Sequence, residues 1–446
     1  MIIKECKERG IYSTSMYTPE KPSHIAQAEE ANSILLCQQL IGKGFPDKDA
    51  SQPIQIYRLT DFGVRKAQLG RLLNDLTPKA TLSKRKEDVD GFRANLRLLL
   101  YALVASAYDF KWLAIPTGDK NYAKGQRLGK FGLSRRRVES ILEVLIQENL
   151  IVLGRKGFLD PRPNGQSKAS QYFPTANLLE YFSSCLYEFS DSFELPCYHQ
   201  FNTFPNENPP DSHLWASEES LLRDYNAHIA NHWWARKGPT TRSFSESLLR
   251  GGRVHTAYQN IVNRRLPIRT NTLLDGEPIA EPDFKSNHLR MAATLVGEEL
   301  PDDPYNVIAE LADTTRDIVK EFVTMVLGCR SKKQKGGQMR VLASANEGLT
   351  LAIYRRLLKA FDQEYPWLEA KGIFYNDTGA RMQRLEGEIG LKMFKWAMEK
   401  EIPILSVHDS FAVQARCADE TWAMMNEVWK KVICNHSGIL GEYCVK

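Results

Sequence analysis

Two aspartates carry the chemical signal in this 446-residue chain. Asp409 lies within Ile402–Val413, where two runs rich in Ile, Leu, Val and Phe flank His408, Asp409 and Ser410. That pattern predicts a β-hairpin with a carboxylate at its tip, a place where a metal can be held. Phosphoryl transfer of the two-metal kind clamps cations about 3.5–4 Å apart, so one carboxylate is not enough. Asp283 is the candidate partner. It ends the extended run Glu277–Phe284 and directly precedes the helical run Ser286–Leu295, so it can face solvent while the strand stays anchored. Pro282 suits a strand edge or end. For Asp409 in isolation, the competing reading is an ordinary hairpin with Asp in its turn.

A second constellation follows in Thr315–Gly328. Arg316 and Lys320 are four residues apart, which puts both cations on one face of a helix, with Ile318, Phe322 and Met325 on the buried side. Two cations one turn apart suit a triphosphate, and Lys320 can protonate a pyrophosphate leaving group. The alternative is a surface helix with ordinary charges.

The elements that must position these residues are legible in part. Asp275-Gly276 is a hairpin turn joining Ile268–Leu274 to Glu277–Phe284. Upstream, helices are expected around 25–41, 69–76, 96–108 and 212–235, with a strand at Trp112–Ile115. Ser134 is a good N-cap for a helix whose apolar face is Val138, Ile141, Leu142 and Leu145. Arg135, Arg136 and Arg137 crowd its first turn and oppose the helix dipole, which points to phosphates or bases as their partners. Strands at Ile151–Leu153 and Ser170–Phe173 flank a basic turn, Gly154-Arg155-Lys156-Gly157. This order resembles a winged helix-turn-helix, with Arg155 and Lys156 on the wing; a generic small α/β domain with a solvated basic face is the alternative. Between residues 119 and 168 there are 11 Lys and Arg against 5 Asp and Glu, a local excess larger than the net +5 of the whole chain. Pro196, Pro205, Pro209 and Pro210 mark a linker.

At 43% hydrophobic and 10% aromatic, the chain has enough to bury several cores. Eight cysteines without a C-x-x-C pair indicate neither a zinc site nor a disulfide framework, and a reducing cytoplasm is expected. No apolar run approaches the roughly 18 residues of a membrane span, and Met1–Lys4 does not open a signal peptide. The expected organisation is a helical region at 1–95, a nucleic-acid-binding winged helix at 96–195, a linker at 196–212 and a catalytic domain at 213–446.

The second half resembles the palm and fingers of family A polymerases, the group that joins bacterial DNA polymerase I to the single-subunit RNA polymerases. Asp283–Arg290 looks like motif A, Arg316-x-x-x-Lys320 like motif B, and Val407–Phe411 like motif C in its His-Asp-Ser-Phe form. Gly251–Val254 is similar to the Gly-Arg segment that touches the primer–template duplex, and Gln383 lies where the family carries a Gln-bearing helix. The resemblance implies an α+β fold, a right-hand palm with small helical fingers and thumb, and a template-dependent nucleic-acid polymerase. DNA-directed DNA polymerase is expected first. A single-subunit RNA polymerase or primase, and a winged-helix initiator with a non-catalytic palm, are the alternatives. It further implies two Mg²⁺ (Mn²⁺ as substitute) on Asp283 and Asp409. Arg316, Lys320, His288, Phe284 and Thr324 would bind a nucleoside triphosphate, His408 would position the primer end, and Arg253, Gln383 and the basic block would hold a DNA primer–template (RNA as alternative). Replication of a phage, plasmid or other mobile element is the setting implied. Two departures stand out. Leu327-Gly328 replace the usual motif B Tyr-Gly one place early, and His288 replaces the motif A Glu that rejects a ribose 2′-hydroxyl. A modest preference for dNTPs over rNTPs is expected.

Overall fold

The computed structural model describes residues 21–54, 61–62, 66–80, 85–116, 118–124, 126, 128–129, 132–158, 168–190, 202–203, 213–245, 247–331 and 348–436. Most of the expected linker and part of the wing lie outside them. The fold is mixed α+β, and no helix among the described residues is long and apolar enough to cross a membrane. Two compact units are formed: residues 1–199, 226–239 and 256–280, and residues 200–225, 240–255 and 281–446. The units are interleaved along the chain, whereas the sequence suggested consecutive domains.

In the first unit, a sheet orders the strands Ser51–Pro53, Trp112–Ile115, Ser170–Pro174 and Ile151–Arg155. The first pair is parallel and the others antiparallel. The helix Lys86–Tyr108 packs behind it through Leu96, Leu99, Leu100 and Leu103, all buried. Arg236 Nη1 donates to the buried Asp109 (3.0 Å) and to Ala105 O (3.0 Å) where that helix ends. The helix Arg135–Gln147 begins at Ser134, whose hydroxyl accepts from Arg137 N, and Asn95 fixes the approach by accepting from Ser134 N and donating to Gly132 O. Gly154 and Arg155 belong to the strand Ile151–Arg155, so the basic turn begins later than expected. The hairpin at Asp275-Gly276 is present with positive φ at both turn residues, but its strands are only Leu273–Leu274 and Glu277–Ala280. The helix His213–Ala230 stops short of 235. Asp275 captures the following residues instead, accepting from Trp233 N and meeting His232 Nδ1, both at 2.7 Å.

In the second unit, the strands Asn202–Thr203, Thr241–Ser245 and Ser247–His255 form one sheet. The helix Thr378–Glu399 lies against it unusually closely. A Cβ at Gly387 would sit 2.0 Å from Gly252 O, so only glycine fits there. The hairpin Ile404–Val407 and Ser410–Gln414 is buried along its length. Tyr225 donates to Ile404 O (2.6 Å) and stacks on Phe394. The helices Asn287–Leu295, Pro304–Leu311, Arg316–Gly328 and Ala418–His436 complete this unit's described core, together with Leu351–Glu364.

Candidate active site

The register of the hairpin pairs Val407 with Ser410 and leaves His408 and Asp409 as a two-residue turn. His408 adopts φ 59°, a left-handed conformation that costs a bulky residue on the order of 1 kcal/mol or more. The buried strands on either side hold it there. Asp283 is brought next to this turn by an isolated antiparallel bridge to Ser410. Phe411 N donates to Pro282 O (3.1 Å), and Ser410 Oγ donates to Glu281 (2.9 Å). The two aspartates singled out in the sequence therefore occupy neighbouring positions, Asp283 exposed and Asp409 half-buried.

A third carboxylate, not anticipated from the sequence, joins them. Glu386 projects from the helix Thr378–Glu399 and is 4% exposed. Arg253 grips it with two nitrogens at 2.6 and 3.1 Å, and His288 Nε2 stands 3.6 Å away, an ion-pair separation rather than a hydrogen bond. The close Gly387–Gly252 approach is what allows this helix and this strand to share the bond. Burial pushes the Glu386 carboxyl up, but His288 and Arg253 outweigh it and hold it down to about 2. At Asp409 the balance falls the other way. Burial, then the charges of Glu386 and Asp283, push it up to about 6, with His288 opposing.

Arg253, expected on duplex backbone, holds Glu386 with its guanidinium. Breaking a pair with one buried partner costs about 3–5 kcal/mol when the charge is left uncompensated, so Arg253 acts as a support for the carboxylate. His288 likewise faces Glu386. Gln383 is half-buried one turn before it.

The helix Arg316–Gly328 has the expected buried face of Ile318, Phe322 and Met325. Arg316 Nε donates to Asp303 (2.8 Å), and its guanidinium lies 5.4 Å from the centre of the Tyr305 ring. Burial pushes the Tyr305 hydroxyl up to about 12, with Arg316 opposing and Asp409 adding to the rise, which puts this cluster within the field of the turn. Lys320 is exposed, and Thr324, also exposed, donates its hydroxyl to Lys320 O (2.8 Å). Leu327 is buried. Phe284 packs against Trp422 and Trp429.

In the first unit, the arginines assigned to phosphates have protein partners as well. Arg135 meets Glu139 (2.8 Å) and Asp119 (3.1 Å), Arg137 meets Asp88 (3.5 Å), and Arg155 meets Asp49 (3.7 Å). The helix dipole that disfavours these cations is thus offset inside the chain. Such exposed pairs are worth about 0–1 kcal/mol each, so they do not prevent exchange for phosphate. Arg136 and Lys156 are exposed.

Comparison with models of known protein families and with curated proteins finds no match for this chain.

Proposed function

We propose that the second unit is the catalytic domain of a template-dependent nucleic-acid polymerase of the family A type, working first on DNA, and that the first unit contains a winged helix that holds duplex. The observation that carries this reading is the bridge between Asp283 and Ser410, which sets Asp283 beside the tip carboxylate Asp409. The donor set suits Mg²⁺: both groups are carboxylates, and the charge on Asp409, opposed by Glu386 and Asp283, would be relieved by a cation. Among the described residues no three His, Cys, Asp or Glu side chains form a ready cage. Two carboxylates plus substrate phosphates are what Mg²⁺ commonly uses. When bound, the ions would lower the pKa of the primer 3′-hydroxyl and neutralise charge at the transferring phosphorus.

The chain's own groups divide the remaining work. Asp283 and Asp409 would hold the ions. Lys320, exposed one turn beyond Arg316, meets the outgoing pyrophosphate and donates a proton to it. Arg316 reaches phosphate at the expense of its bond to Asp303. His408, held by the turn, orients the primer end. Glu386, anchored by Arg253, keeps negative charge beside Asp409 and fixes His288, the residue nearest the family's sugar-discriminating position.

In the first unit, the strand order in which Ser170–Pro174 lies between Trp112–Ile115 and Ile151–Arg155, with Arg135–Gln147 preceding the last two in sequence, supports the winged-helix reading.

Primer extension tests the proposal, with DNA and RNA primers, Mg²⁺ and all eight nucleotides. The wild type should extend a DNA primer with dNTPs in modest preference to rNTPs, and Asp409→Asn should abolish incorporation. Faster extension with rNTPs would favour an RNA polymerase or primase. Undiminished extension by Asp409→Asn would refute the site.

A further inference from the structure

Three charged side chains that the proposed reaction does not use meet in the interior of the second unit. Glu218 comes from the helix His213–Ala230, Arg242 from the strand Thr241–Ser245 and Arg384 from the helix Thr378–Glu399. Arg242 is fully buried, and Glu218 and Arg384 are each 8% exposed. Arg242 Nη1 donates to Glu218 Oε2 (2.7 Å), and Arg384 Nη2 donates to Glu218 Oε1 (2.5 Å). Two guanidiniums therefore share one carboxylate, which leaves an excess positive charge out of water. Burial pushes Arg242 down to about 10; Glu218 opposes the fall and the like charge of Arg384 adds to it. Arg384 Nη1 has no acceptor among the described residues. Apolar side chains of the same volume would hold three elements together at least as well. Stability alone does not explain the triad.

Direction does, because a charged hydrogen bond fixes an angle and a register where an apolar contact can slide. Arg242 Nε donates to Gly252 O (2.6 Å), the carbonyl joined to the Arg253 nitrogen, and its guanidinium lies 4.9 Å from the centre of the Phe244 ring. A Cβ on Gly387 would come within 2.9 Å of Arg242 Nη2, and one on Gly252 within 3.0 Å, so this guanidinium fills the notch between the two glycines. Arg384 stands two residues before Glu386. The triad thus grips the strand next to Arg253 and the helix next to Glu386, on both sides of the pair that those residues form.

We propose that Glu218, Arg242 and Arg384 are positioning residues: they set the register of the strand Ser247–His255 against the helix Thr378–Glu399, and so place Glu386, and through it His288, beside Asp409. The positioning stands on this geometry alone. Its effect on nucleotide choice rests on the polymerase reading.

A double-mutant cycle in the full-length protein separates the two. Arg384→Met leaves Glu218 and Arg242 as a neutral pair, so it should unfold in urea near the wild-type midpoint; a large loss would make the triad a folding element and overturn the proposal. Arg253→Met leaves Glu386 buried without its main partner and should lower the midpoint. In the Arg384→Met background that drop should be about half as large, because the helix is then free to carry Glu386 toward solvent. Where Arg253→Met does not fold, Arg253→Lys replaces it in the cycle. Primer extension supplies the second readout, the ratio of dNTP to rNTP incorporation, which a loss of folded enzyme does not move. Arg384→Met should lower that ratio about two- to fivefold, the worth of one weak ion pair at His288, and Arg384→Lys should restore part of it. Additive midpoint shifts, or an unchanged ratio in an enzyme that extends, would overturn the proposal. A wild type that extends no primer strikes the catalytic reading alone, and the cycle still decides the positioning.

Discussion

Replacing Asp409 by Asn should make the metal-free protein more stable at neutral pH. Burial, Glu386 and Asp283 raise the Asp409 carboxyl from 3.8 to about 6 in the folded chain. The folded state therefore holds this proton more tightly than the unfolded state does. Stability contributed by the protonated form is complete below about pH 4 and is lost as pH rises through 6, leaving a net cost at pH 7. At 1.36 kcal/mol per pH unit that cost is about 3 kcal/mol, and the partial exposure of the side chain reduces it to about 1–2. Asn keeps the shape and removes the charge, so in EDTA the urea midpoint of the variant should exceed that of the wild type at pH 7 and match it near pH 4. Added Mg²⁺ should reverse the order, because a ligand at 100 times its dissociation constant stabilises by about 2.7 kcal/mol. Only the wild type offers both carboxylates. An Asp409→Asn protein that is destabilised in EDTA at pH 7, or that gains as much from Mg²⁺ as the wild type, would refute the reasoning.

Three further outcomes follow from the geometry. Gly387→Ala places a Cβ 2.0 Å from Gly252 O, closer than van der Waals radii allow; the helix must shift, the helix-propensity gain of about 1 kcal/mol is outweighed, and denaturation should show a net loss together with reduced extension. Lys237, 8% exposed, is pushed down to about 8 by burial. The unfolded chain then binds more protons between pH 8 and 10.5, so wild-type stability should rise across that window, and Lys237→Met should flatten the rise and add about 1–3 kcal/mol at pH 7, read from urea midpoints against pH. The variant Arg135→Ala/Arg136→Ala/Arg137→Ala should shallow the slope of log K against log salt on duplex DNA by about 0.9 for each phosphate that it no longer neutralises, and an unchanged slope would mean that Asp88, Asp119 and Glu139 are the only partners these side chains have.

Local pattern made some of this molecule legible in the sequence. Two short apolar runs flanking a polar corner are enough to predict the hairpin Ile404–Val407 and Ser410–Gln414, because strands buried along their whole length read as near-continuous hydrophobic runs bounded by a turn signal. Ser134 marked a helix start because a hydroxyl that accepts from the third residue on is a local device, and Thr315 caps its helix in the same way. The strands around Asp275-Gly276 came out shorter than their composition suggested, since Arg269–Asn271 forms a 3-10 turn before the first strand, and Pro282, without an N–H, lies beyond the end of the second.

Glu386 was not legible, and the reason is physical. Its role depends on Arg253, far away in the chain, and on an approach of Gly252 to Gly387 that brings two backbones together where any Cβ would separate them. Neither glycine has a local turn signature that announces such an approach. The signal that was available is the pair of glycines at positions 251 and 252 inside an otherwise extended segment, which marks a bulge or a close neighbour. Arg253 follows that pair, so an acidic residue on whatever packs there could have been sought. Charge counting is incomplete for a related reason: Arg135, Arg137 and Arg155 each have a carboxylate partner from a different part of the chain or from the next helical turn. A local excess of cations describes a surface only after the fold has decided which of them face acids. At Asp409 the fold does the opposite, gathering carboxylates against a half-buried one with little to neutralise it. That arrangement is unfavourable for stability, and it is what the proposed Mg²⁺ would relieve.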